Sequence, residues 1–208
     1  MSILVLTSDT LSSPAAAGQI EYTSPIFAGT PIGTQRGIVP TQQYYRLNAD
    51  YAGSNATGAQ SLFGVGVTLS ASTVYEFEIA FAVTKTAGTT SHTFSALYGG
   101  TATLNNILVV YTGTSTVSGS ALPTGNPAQG AATNSASALA LIAATTTATC
   151  SIIYLAKGTV SINAGGTFIP QYTLSAAPGG AYSTIAGSYI RINPLSASGA
   201  ATNVGTWA

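Results

Sequence analysis

From Tyr75 to Val83 the chain alternates without a break. Tyr75, Phe77, Ile79, Phe81 and Val83 fall on one side, and Glu76, Glu78, Ala80, Ala82 and Thr84 on the other. A period of two with an aromatic face is the pattern of a strand half-buried against a core. Ala87-Gly88-Thr89 reads as a turn, and His92, Phe94, Ala96 and Tyr98 alternate behind it, so the two segments predict a hairpin. Two Gly-Gly-Thr turns continue the pattern. Gly99-Gly100-Thr101 precedes Ala102-Thr103-Leu104 and the apolar run Ile107 to Tyr111; Gly165-Gly166-Thr167 separates Thr159-Val160-Ser161-Ile162 from Phe168 to Leu174. Paired glycines supply the left-handed backbone of tight hairpins. Pro170 lacks a ladder donor, so its strand should be an edge or carry a bulge. A last strand is expected over Gly187 to Pro194.

Other stretches read differently. Ala138 to Ile142 fits a short helix or a strand equally well. Gly113 to Ser137 is almost wholly Thr, Ser, Gly, Ala, Pro and Asn, which predicts a long surface loop at about 113–137. Residues 1–40 carry Pro14, Pro25, Pro31 and Pro40 at turn-like intervals and read as an extended N-terminal arm outside the regular sheets. The expectation is therefore all-β: a jelly-roll-like antiparallel β-sandwich over residues 41–208, preceded by that arm.

Composition adds an unusual surface. Only ten of the 208 residues are Asp, Glu, Lys or Arg, or 5% against roughly a quarter in an average soluble domain. A neutral surface of Thr, Ser, Ala and Gly invites association, which predicts burial against other copies or other proteins. Arg36, Arg46, Lys85, Lys157 and Arg191 are scattered singly, which argues against nucleic acid as a partner. No apolar run approaches the roughly 20 residues of a membrane helix, and Met1 to Leu6 lacks the basic flank and cleavage pattern of a secretory signal.

Candidates for chemistry are few. The single His92 sits between Ser91 and Thr93 with no nucleophile motif beside it and reads as structural or solvent-facing. The single Cys150, flanked by Thr149 and Ser151-Ile152-Ile153, reads as a small buried hydrophobe. Glu76 and Glu78 share a strand face and are the only close carboxylates. Such a pair can divide acid and base roles across a glycosidic bond only where its two environments differ, and neighbours on one face should share theirs. They read as the polar face of an outward strand or a subunit contact. Glu21 and Asp50 are isolated, and Gly64-Val65-Gly66 lacks the setting of a phosphate loop. Asn55-Ala56-Thr57 matches a glycosylation sequon. Tyrosines such as Tyr44, Tyr45, Tyr51, Tyr98, Tyr111, Tyr182 and Tyr189 suit strand caps, interfaces or glycan contact. No catalytic residue, metal ligand or cofactor is expected.

Several stretches, in order, resemble a module of tailed-bacteriophage virion proteins. They are Gly18 to Tyr22, Gln35 to Pro40, Tyr45 to Tyr51, Gln60 to Phe63, Leu69 to Phe77, Ile162 to Gln171, Ser188 to Ile192 and Val204 to Trp207. The resemblance implies a trimeric β-sandwich on the virion surface, assembled in the host cytoplasm, and transfers no catalytic residue. Its partners would be copies of itself and the major capsid protein or other virion proteins. A capsid decoration (cement) protein is the first expectation. A tail-fibre or tail-tip subunit that binds a host surface glycan or receptor is the alternative.

Overall fold

The computed structural model describes residues 6–12, 14–33, 35–116, 128–133 and 137–196. The Val204 to Trp207 stretch and the central part of the expected 113–137 loop lie outside these residues. All regular structure among them is strand: β1 (Ile20–Thr23), β2 (Ile26–Ile32), β3 (Gln35–Val39), β4 (Gln43–Arg46), β5 (Tyr51–Ala52), β6 (Gln60–Ser61), β7 (Val67–Leu69), β8 (Thr73–Lys85), β9 (His92–Gly99), β10 (Thr103–Thr116), β11 (Ala128–Thr133), β12 (Leu139–Thr145), β13 (Cys150–Ala164), β14 (Gly166–Leu174), β15 (Ser183–Thr184) and β16 (Tyr189–Ser196).

The pairing has a simple logic. From β4 onward, the first strand pairs with the last: β4 with β16, β6 and β7 with β14, β8 with β13, and β9 with β12, all antiparallel. A long hairpin rolled upon itself gives this nesting, and the result is a jelly roll. The large sheet runs β11-β10-β13-β8-β16-β4, with β15 and β5 continuing the rows of β16 and β4; the small sheet runs β12-β9-β14-β6, with β7 also on β14. The antiparallel pair β10–β11 is an addition to the roll, inserted between β9 and β12, and it widens the large sheet beyond β13.

The predicted inner face of β8 is the core. Tyr75, Phe77, Ile79, Phe81 and Val83 are all at most 3% exposed. Phe77 meets Tyr98 of β9 and Phe168 of β14, with ring centroids 5.7 and 5.8 Å away, and so locks the two sheets together. Tyr98 stacks on Phe168 at 4.9 Å, and Phe94 on Tyr172 at 5.0 Å. Each of these rings removes a large apolar area from water.

Four expectations are corrected. Strands β8 and β9 do not form a hairpin, because they lie in different sheets. The two Gly-Gly-Thr turns, before β10 and at the start of β14, likewise carry the chain from one sheet to the other. At the first of them Gly100 has φ +114°, and a Cβ there would collide with the Thr167 carbonyl, so glycine is required. The Pro170 strand is internal, between β9 and β6. The missing donor falls where the partner changes from β7 (opposite 166–168) to β6 (opposite 171–172), and its carbonyl still accepts from the Leu62 N–H at 2.9 Å. The expected loop at 113–137 is partly sheet. Residues 113–116 complete β10, and 128–133 form β11, since small and polar residues still satisfy a backbone ladder even with little to bury. Ala138 to Ile142 resolves as strand β12, paired with β9.

The segment read as an extended arm contains a three-stranded antiparallel meander, β1-β2-β3, separate from both main sheets. Tyr22 stacks on Phe27 at 4.4 Å, and Arg36 Nε meets Glu21 Oε2 at 2.6 Å. The isolated Glu21 of the sequence is thus an anchor. Arg36 and the Ser12 N–H and hydroxyl hold its carboxyl down at about 2. From β3 the chain passes Pro40 and Gln42 into β4, along the outer face of the large sheet.

Candidate functional site

The few charges are not spread evenly. Of the ten charged side chains, Arg46, Glu76, Glu78, Lys157 and Arg191 all project from the outer face of the large sheet. Register places them. Opposite residues of an antiparallel pair share a face, so Tyr44 of β4, Arg191 of β16, Glu78 of β8 and Lys157 of β13 form one row across four strands. The next row holds Asn193, Glu76 and Thr159.

Glu78 is the hub. Lys157 Nζ and Arg191 Nη2 both reach its Oε2 at 2.9 Å, and the Tyr189 hydroxyl donates to Oε1 at 2.7 Å. Burial beneath these neighbours would raise its pKa, but the bonds from Lys157, Tyr189 and Arg191 outweigh it and hold the carboxyl down at about 2. Tyr189 also stacks on Tyr44, with centroids 5.4 Å apart, leaving Tyr44 54% exposed at the sheet edge. Gln42, Glu76, Glu78, Lys157, Arg191 and Asn193 line a cavity of about 280 Å³ here.

The sequence put Glu76 and Glu78 on one outward face, and the structure does so. It does not give them one environment. Glu78 is 8% exposed and takes three donors; Glu76 is exposed and accepts no hydrogen bond among the described residues. A carboxyl held near 2 stays ionised and has no proton to donate as a general acid near neutrality. The partners Lys157, Tyr189 and Arg191 escaped sequence reading because pairing across sequence distance sets them. The one available signal was the alternation Tyr189-Ile190-Arg191-Ile192, which puts Tyr and Arg on one face.

The remaining candidates lie elsewhere. His92 is 1% exposed, and its Nδ1 faces the Thr90 carbonyl at 2.7 Å. That contact places the ring proton on Nδ1, and Nε2 accepts from the Tyr182 hydroxyl at 2.9 Å. Cys150 is buried at 1%, and burial pushes its thiol up. Opposite Cys150, Lys85 closes the core face of β8 at 2% exposure. Its Nζ donates to the carbonyls of Gly88 (2.9 Å), Ala148 (3.2 Å), Ala87 (3.4 Å) and Thr147. These groups form a closed internal cluster. Among the described residues no group of three or more His, Cys, Asp or Glu could hold a metal ion.

Two apolar regions lie on the main sheets. A groove of about 340 Å³ opens between the sheet edges, lined by Tyr45, Phe63, Val65, Val67, Ile190 and Ile192. On the outer face of β10 and β13, Leu108, Val110 and Ile153 are 50%, 46% and 50% exposed.

No family model matches the chain, and no curated protein matches it. Among solved structures it is similar to one described as "Structure of infectious bursal disease virus Gx strain", at 8% identity and a TM-score of 0.19. The match covers 81% of this chain and 46% of that one, so this chain spans about half its length, and a likeness at this level carries no argument.

Proposed function

We propose that this chain is a non-enzymatic structural protein of a bacteriophage virion, a capsid decoration (cement) protein that stabilises the head through oligomeric contacts. The observation that carries the reading is the outer face of β10 and β13. A jelly roll with ten charged side chains leaves Leu108, Val110 and Ile153 half exposed on the outer face of its large sheet. Such a surface favours cover by another protein. Copies of this chain, as a homotrimer, and the major capsid protein are the proposed partners, at the virion surface. Jelly rolls build both capsid and lectin domains, and the sequence resemblance to virion modules supports the first use.

A second reading, a tail-fibre or tail-tip subunit that binds a host surface receptor, is favoured by one feature: the gathering of four of the chain's ten charges around a cavity in the same row as Tyr44. Gold-labelled antibody against the purified chain separates the two on particles from the infected host. Label over heads is expected; label confined to tails transfers the assignment to the second reading, and particles without label sink both. Light scattering of the purified protein should give a trimer, and a stable monomer at working concentration would count against the oligomeric contacts.

A further inference from the structure

We infer that the outer face of the large sheet binds a neutral saccharide, with one sugar ring in the cavity over Glu76 and Asn193 and the glycan running towards Tyr44. The inference deepens the receptor-binding reading by naming the ligand class and the face, though it concerns the isolated protein as much as the particle.

Three observations carry it. The first is unused hydrogen-bonding capacity. Around the cavity Glu78 is fully engaged, but the Glu76 carboxylate and the side-chain amides of Gln42 and Asn193 have no hydrogen-bond partner among the described residues. Arg191 and Lys157, 45% and 59% exposed, each commit one donor to Glu78 and keep others free. Acceptors and donors therefore stand side by side, and a vicinal diol, whose hydroxyls both donate and accept, needs that mixture.

The second is charge balance. Lys157 and Arg191 offset Glu76 and Glu78 one for one, so the cavity has no net charge. An anionic ligand would meet the bare Glu76 carboxylate, and a cationic one would meet Lys157 and Arg191. A neutral polyol meets neither penalty. The third is the platform. Tyr44 lies directly across from Arg191 in the same row, and its stack on Tyr189 holds the exposed ring in place. An amphipathic aromatic ring fixed at a sheet edge suits the C–H face of a pyranose. The volume, about 280 Å³, lies just below the usual range of ligand pockets, which fits one ring and not a drug-sized molecule.

The test is an array of neutral oligosaccharides (glucans, galactans and mannans) beside uronic-acid and sialic-acid glycans, followed by calorimetric titration of the strongest neutral binder. Binding to a neutral glycan, unchanged when salt is raised, is expected. Glu76→Ala and Tyr44→Ala should each weaken it about tenfold, the loss of one good polar or stacking contact. Neither side chain is buried, so both variants should keep the wild-type melting temperature, and a variant that melts early is replaced by Glu76→Gln or Tyr44→Ser. No binding to any neutral glycan by folded protein overturns the inference. So does binding that both variants leave intact, or binding to acidic glycans alone that salt abolishes. Gold label confined to heads would remove the receptor-binding reading while leaving a measured glycan affinity in place, so the two can fail separately.

Discussion

On the inner face of β8, Lys85 ends a row of five apolar side chains and gives its ammonium to backbone carbonyls. On the outer face, Glu78 stands among small and polar residues and takes three side-chain donors. The inner charge is solvated by fixed backbone. Its acceptors belong to the turn after β8 and the loop before β13, so Lys85 ties those two connections together. The outer charge is solvated by side chains from neighbouring strands, two of them about half exposed, which water or a ligand can replace. A sheet of this kind can keep stability on one side and recognition on the other, and the comparison predicts that damage to the two faces will differ in size and in kind.

The largest expected effect is on the inner face. Phe77→Ala should cost about 3–5 kcal/mol in chemical denaturation, because it opens a cavity where both sheets meet; a loss below about 1 kcal/mol would mean that Phe77 does not fill the core. Next comes Lys85→Met, which keeps the length of the side chain and removes the donor. Carbonyls of Gly88, Thr147 and Ala148 would be left short of partners away from water, at a cost of about 2–3 kcal/mol. Unchanged stability would show that water reaches these oxygens and that the staple is dispensable.

How much of this was readable beforehand follows from what each signal contains. The inner face of β8 was legible because period-two alternation is a local property, and Tyr75 to Val83 fixes it without reference to any partner. The end of that row was not. Nothing in Val83-Thr84-Lys85 says that an ammonium will stay on the core side, since two of its four acceptors come from a loop some sixty residues away and the other two face it only through the turn after β8. The turns were legible as turns, but glycine at a corner looks the same whether the chain folds back in its own sheet or crosses to the other. In a jelly roll nearly every connection crosses, which is why the alternation on either side of Ala87-Gly88-Thr89 imitates a hairpin that β8 and β9 do not form. The outer site failed for the same reason. Glu76 and Glu78 could be seen as neighbours, whereas the row Tyr44, Arg191, Glu78 and Lys157 exists only once four strands are in register.

The smallest expected effect is on the outer face and depends on pH. Glu78 has its carboxyl held at about 2, against 4.5 for the free group. A depressed carboxyl contributes stability that is fully present above the ordinary value and is lost as pH falls from about 4.5 towards 2. Glu78→Gln should therefore cost about 1 kcal/mol at neutral pH, the scale of a charged but partly solvated contact. The gap between wild type and variant should close as denaturation is repeated towards pH 2. Glu21 titrates over the same window in the meander, so some acid sensitivity should persist in the variant, and only the difference curve belongs to Glu78. A gap that stays constant with pH would mean that Glu78 stabilises the sheet through packing and not through its charge. The outer face would then differ from the inner one only in degree, and its charges would have no claim to be replaceable by a ligand.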